Sequence, residues 1–136
     1  MGKKNLINIL YVVIFALAAA VFAYQKGWVL ADFDSISPQE ASMLSKQDNT
    51  VAILDVRTPE EYAAGHIASA TLIPLGTLSS SLQKLDGAKD KKIIVYCKSG
   101  NRSVAASRIL KEHGFHPINV KSGFDGWVSD GLPVEK

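Results

Sequence analysis

Between Leu6 and Tyr24, nineteen consecutive residues are interrupted by only one strongly polar group, Asn8. A helix on the surface of a soluble core shows a polar face, whereas this segment is apolar all round until Gln25. Its length matches the ~20 residues that carry a helix across a bilayer. The chain is therefore expected to divide into an N-terminal transmembrane anchor, residues 1–30, and a soluble part, residues 31–136, of ordinary domain size. Lys3, Lys4 and the amino terminus precede the apolar run and Lys26 follows it. By the positive-inside rule this favours a cytoplasmic N-terminus, hence a single-pass membrane protein with its domain on the extracytoplasmic (periplasmic) side. Tyr24 and Trp28 stand where interfacial aromatics belong. The alternative is a cleaved signal peptide, with Val21-Phe22-Ala23 before the cut. Signal cores usually span about 7 to 15 apolar residues, so the longer run favours retention, and either reading exports the domain.

Lys plus Arg number 15 and Asp plus Glu 13, a net charge of +2 spread along the sequence rather than gathered in a basic stripe. Nucleic acid is therefore not an expected partner. Cys97 is the single cysteine, which rules out an internal disulfide framework and a multi-thiolate metal site. No metal and no cofactor are expected.

In the soluble part, Ser37-Pro38-Gln39-Glu40 has the grammar of a capping box and predicts a short helix to about Lys46. Val51–Val56 is a continuous apolar run of strand length without alternation, which suits a parallel strand buried on both faces. Thr58-Pro59-Glu60-Glu61 repeats the capping pattern, and Gly65 is expected to end that helix in a left-handed conformation. Thr71–Pro74 reads as a short strand, and apolar residues at 75, 78, 82 and 85 predict one helix over Leu75–Leu85. Lys92–Tyr96 is the next strand. Ala105 with Ile109 and Ala106 with Leu110 form i, i+4 pairs of a helix ending at Gly114, and Ile118–Val120 supplies a last strand. Strands alternating with helices at this pace predict an α/β fold, an open parallel sheet with helices on both faces.

The segment Tyr96-Cys97-Lys98-Ser99-Gly100-Asn101-Arg102-Ser103 places the only thiol at the C-terminal end of a parallel strand, just before a helix. Open α/β sheets bind ligands at that edge. A tight loop through Gly100 that feeds a helix N-terminus turns several backbone N–H groups toward one point, an anion cradle with Cys97 inside it. Such a cradle holds a negatively charged sulfur, thiolate or persulfide. Lys98 and Arg102 add positive charge at the rim, where an anionic sulfur donor approaches.

At this point the sequence resembles the rhodanese family, through most of residues 35–136. Leu54-Asp55-Val56-Arg57 with Glu60-Glu61-Tyr62 resembles the family's first signature, and Gly65-His66-Ile67-Ala68-Ser69-Ala70 with Ile73-Pro74 the segment that follows it. Cys97–Ser103 matches the active-site loop. Gly123-Phe124-Asp125-Gly126-Trp127 and Gly131-Leu132-Pro133-Val134 are similar to the closing signature, with Ser122 where the family frequently has glycine. The resemblance implies a rhodanese-like fold and a sulfurtransferase in which Cys97 is the catalytic nucleophile. Cys97 would take the outer sulfur of thiosulfate or polysulfide as a persulfide and pass it to an external thiol or to cyanide. It also implies that Lys98, Ser99, Gly100, Asn101, Arg102 and Ser103 bind the substrate, through backbone N–H groups of residues 98 to 102 and the charge of Arg102 before that of Lys98. Asp55, Arg57, His66 and Trp127 are read as scaffold, and His113 and His116 as surface residues.

Other chemistries fit the loop less well. Related dual-specificity phosphatases place five residues between cysteine and arginine, to fit a phosphoryl group with three outer oxygens. Cys97 and Arg102 enclose four. Mercaptopyruvate-using relatives tend to have glycine after the cysteine, where Lys98 stands. A persulfide carrier or interaction module at the membrane, attached through residues 6–24, remains the reading from another class.

Overall fold

In the computed structural model, which describes residues 2–136, the chain groups into two units, one ending at Ala31 and one spanning Asp32–Lys136. The first contains helix α1, Lys3–Gln25, of 23 residues, none of them buried. Among the described residues it is the one helix long and apolar enough to cross a membrane.

The second unit is built on five parallel strands, β1 (Asp34–Ile36), β2 (Ala52–Asp55), β3 (Thr71–Leu72), β4 (Lys92–Tyr96) and β5 (His116–Val120), in the order β1-β5-β4-β2-β3. Register follows the apolar runs: Leu54 lies opposite Val95 and Asp55 opposite Tyr96, while Ile94 lies opposite Ile118. Because side chains alternate along a strand, β4 feeds two cores. Ile93, Val95 and Cys97 pack on one face against Ala106 and Leu110 of α5, Asn101–Glu112, and against Leu78 of α4, Leu75–Leu78. Ile94 and Tyr96 pack on the other face with Ala41 of α2, Pro38–Gln47, with Tyr62 of α3, Pro59–Ala64, and with Trp127 of α6, Gly123–Ser129.

Local sequence explains most helix ends. Ser37 and Thr58 cap α2 and α3, each accepting from the N–H of the glutamate three residues on, Glu40 and Glu61, while that glutamate accepts from the cap N–H. Helix α5 ends in a Schellman turn: Phe115 N–H donates to Leu110 O at 3.0 Å and Gly114 N–H to Lys111 O at 3.2 Å, with Gly114 at φ 84°. Phe115 and Leu110 then share one core.

Several expectations need correction. The helix over Leu75–Leu85 is broken: α4 stops at Leu78 and a 3₁₀ turn runs over Leu82–Ala88. The apolar spacing survives, since Leu78 and Leu85 are both buried. Between them Ser79, Ser80 and Ser81 favour local bonds over a continuous helix, Ser80 Oγ donating to Thr77 O at 3.0 Å. Gly65 closes α3 at φ 156° and ψ 139° rather than in the left-handed helical basin. Its carbonyl is thereby turned to accept from Arg57 Nη2 at 2.7 Å. In α5, Ala106 and Leu110 are buried, but Ala105 is exposed and its partner Ile109 only half-buried. Strand β1 and helix α6 were not anticipated from sequence.

Candidate active site

Strands β2 and β4 are neighbours, yet β2 leads into α3 on one face of the sheet and β4 into α5 on the other. The two loops diverge at the C-terminal edge and leave a crevice between them, the place where open α/β sheets hold ligands. Cys97 sits there, 1% exposed. Its Sγ accepts from Gly100 N–H at 3.1 Å and donates to Ser103 Oγ at 3.4 Å. In the thiolate the second contact reverses, with the Ser103 hydroxyl as donor. Gly100, at φ 103°, occupies the left-handed region that favours glycine and so lets the loop fold back on the sulfur.

The loop is held from outside by α6. Phe124 N–H donates to Cys97 O at 2.7 Å and Asp125 N–H to Lys98 O at 2.9 Å. In a trans peptide the N–H points opposite to the preceding carbonyl. Binding the carbonyls of Cys97 and Lys98 to α6 therefore directs the N–H groups of Lys98 and Ser99 to the opposite side of the loop. These bonds also satisfy first-turn donors of α6 that lack an intrahelical partner, which is why a seven-residue segment with two glycines is helical.

The other residues expected in the site separate into two groups. Gly100 and Ser103 are buried beside Cys97, whereas Lys98, Ser99 and Asn101 are exposed around it. Arg102 is in a different situation from the one expected. Its Nη1 and Nη2 donate to the two carboxylate oxygens of Glu61 at 2.7 and 3.0 Å, tying the first turn of α5 to α3. Its charge is thus committed within the protein, and Lys98, whose Nζ is 3.8 Å from Asp125 Oδ1, is the less constrained cation. Neither Glu61 nor Asp125 was legible as part of the site, because each meets its cation only through tertiary folding.

The Arg102 hydrogen bonds, opposed by burial and helped by Thr58, hold the Glu61 carboxyl down to about 2 from its ordinary 4.5. A carboxyl depressed in the folded state adds stability above its unfolded value and loses it as pH falls through the folded one. Between about pH 4.5 and 2 the unfolding free energy should fall by about 1 kcal/mol from this pair, after discounting for a site about one-third exposed. In Glu61→Gln this component of the pH dependence should disappear in chemical denaturation; an unchanged profile would remove the pair from the stability account.

Beneath this rim lie the scaffold residues. Arg57 Nε and Nη2 bind the Asp55 carboxylate at 2.7 to 3.1 Å, and its guanidinium lies 4.1 Å from the Phe124 ring centroid. His66 stacks on Tyr62 at 3.7 Å, and its backbone exchanges two 2.8 Å bonds with Glu135. Trp127 Nε1 donates to Pro133 O at 2.8 Å. His113 and His116 are exposed, away from this edge. Among the described residues no group of His, Cys, Asp and Glu is placed to hold a metal.

Comparison with known proteins agrees with this fold. Residues 37–130 match the Rhodanese-like domain family. A protein named Sulfurtransferase from Allochromatium vinosum is 29% identical over 102 residues, covering 74% of this chain and 94% of that protein. The crystal structure of a rhodanese-related protein from Thermoplasma volcanium is 34% identical with a TM-score of 0.69, covering 76% of this chain and 98% of that one. A rhodanese-like domain protein from Staphylococcus aureus is 32% identical with a TM-score of 0.67, over 76% of this chain and all of that one. With a parallel sheet, a buried cysteine folded into the loop after its central strand, and a family match over most of the second unit, the chain belongs to the rhodanese-like sulfurtransferase family.

Proposed function

We propose that the protein transfers sulfane sulfur through a persulfide on Cys97, taking it from thiosulfate or polysulfide and giving it to an external thiol or cyanide. The observation that carries this reading is the contact of Gly100 N–H with Cys97 Sγ, in a loop with only four residues between Cys97 and Arg102. The Cys97 thiolate attacks the outer sulfur of thiosulfate, the S–S bond breaks, and sulfite leaves with its electron pair. The persulfide anion then occupies the space faced by the N–H groups of Lys98, Ser99 and Gly100, whose dipoles stabilise it at no cost of rearrangement. An acceptor thiolate or cyanide attacks the outer sulfur and returns Cys97 as thiolate. With no second cysteine in the chain, an internal disulfide cannot intercept this cycle.

Helix α1 supports a single-pass anchor, since an exposed apolar helix of 23 residues is long enough for a bilayer. The lysine distribution then supports an extracytoplasmic domain. Resistance of the protein to alkaline extraction from membranes, with a C-terminal reporter active only outside, is the expected behaviour. An anchored protein with one thiol also fits a carrier that unloads to a single partner. Turnover with small acceptors separates the two, because a carrier retains its sulfur in their presence.

The test is intact-mass measurement of the full chain in detergent after incubation with thiosulfate. Wild type is expected to gain one sulfur atom that cyanide removes, and Cys97→Ser to gain none. No added sulfur, or equal addition to both, would overturn the assignment.

A further inference from the structure

Beside the Cys97 loop lies a cavity of about 400 Å³ whose wall combines four charged residues, Arg57, Glu61, Lys98 and Asp125, with Ala64, Phe124 and Val128. The sequence around Cys97 reads as basic, but each of its cations faces a carboxylate. Arg57 is bound to Asp55 and Arg102 to Glu61, both at 2.7 Å. The Lys98–Asp125 pair is long, 3.8 Å, with side chains 62% and 55% exposed. It is the one pair of the three that an incoming ion can open without breaking a tight bidentate contact. Asp125 is also fixed by its backbone, because its N–H donates to Lys98 O, so carboxylate and ammonium share one rim.

A doubly charged donor thus meets the Lys98 ammonium together with the repulsion of Asp125. A donor carrying one charge and an apolar body suffers less repulsion and finds Ala64, Phe124 and the half-exposed Val128 to rest on. We propose that Asp125 is a specificity-determining residue, which disfavours small dianionic sulfane donors relative to monoanionic donors with an apolar body. This rests on the sulfur-transfer reading above and narrows it to a class of donor.

The test compares two donors in the same preparations of full chain in detergent, with cyanide as acceptor. Thiosulfate is the dianion and benzenethiosulfonate the monoanion with an apolar ring. Asp125→Asn is expected to raise kcat/KM for thiosulfate about 3- to 10-fold at low ionic strength, with the gain shrinking as salt screens the charge. Its kcat/KM for benzenethiosulfonate should rise only by about the square root of that gain, roughly 2- to 3-fold, because the repulsion scales with donor charge. Val128→Ser should lower the value for benzenethiosulfonate about 3-fold and spare thiosulfate, by loss of apolar contact. Asp130→Asn, at the C-cap of the same helix but outside the cavity wall, should change neither. The donor ratio within one variant cancels any inactive fraction, so imperfect folding cannot imitate the effect. Equal change for both donors, or none in Asp125→Asn, overturns the proposal while leaving sulfur transfer intact. Failure of both donors to load Cys97 in wild type overturns the sulfur-transfer reading and this one with it.

Discussion

Gly123→Ala is expected to lower the unfolding free energy by about 3 to 4 kcal/mol and to abolish sulfur transfer in the protein that remains folded. An added Cβ would stand 2.5 Å from Cys97 O and 2.7 Å from Lys98 O, distances that no relaxed carbon contact reaches. Backbone, not a flexible side chain, is what it meets. The φ of 53° at Gly123 adds strain of its own for any residue with a Cβ. Relief requires α6 to lift from the loop, which breaks the bonds from Phe124 and Asp125 N–H to those same carbonyls. The peptide planes that aim the Lys98 and Ser99 N–H groups would then be free to rotate. Gly87→Ala is the control, since nothing lies within 4 Å of its added Cβ. Urea unfolding followed by fluorescence of the buried Trp127 should separate the two, and equal stabilities would refute the close-approach argument.

The second large effect concerns the buried pair under the site. Arg57→Met should cost about 3 to 5 kcal/mol, because it leaves the Asp55 carboxylate buried without its cation. Asp55 is 0% exposed, so water cannot take over. The variant also loses the bond from Arg57 Nη2 to Gly65 O and the stacking on Phe124. Adding Asp55→Leu should recover at least about 1 kcal/mol, since it removes the unpaired buried charge and leaves only the neutral Gly65 O and Arg57 N–H without their partners. A double variant as unstable as the single would place the cost in lost packing instead. Since Phe124 both stacks on Arg57 and binds Cys97 O, the single variant should also slow sulfur transfer.

Much of the fold was legible because it is written in local patterns. Continuous apolar runs marked β2 and β4, and two capping boxes marked the starts of α2 and α3, all of which depend on residues within a few positions of each other. Where local signals conflicted, the reading failed. The apolar spacing from Leu75 to Leu85 outvoted the serines between, and the chain instead kept the buried leucines while breaking the helix. Strand β1 escaped notice because three residues at a sheet edge carry no periodicity, and it forms by pairing with β5. Helix α6 escaped because its capping donors are satisfied 27 residues away in sequence, by Cys97 and Lys98.

The candidate site divides in the same way. From sequence alone came the thiol at a strand end, the glycine that lets the loop turn, the four residues enclosed between Cys97 and Arg102 and the apolar N-terminal run. Each is a matter of residue type and spacing along one short stretch of chain. Only the tertiary structure decided which charges at the rim are free. Glu61 lies 41 residues from Arg102, and Asp125 lies 27 from Lys98. Charge interacts through space, so a count of basic residues near Cys97 made the site look cationic until folding brought a carboxylate to each of them.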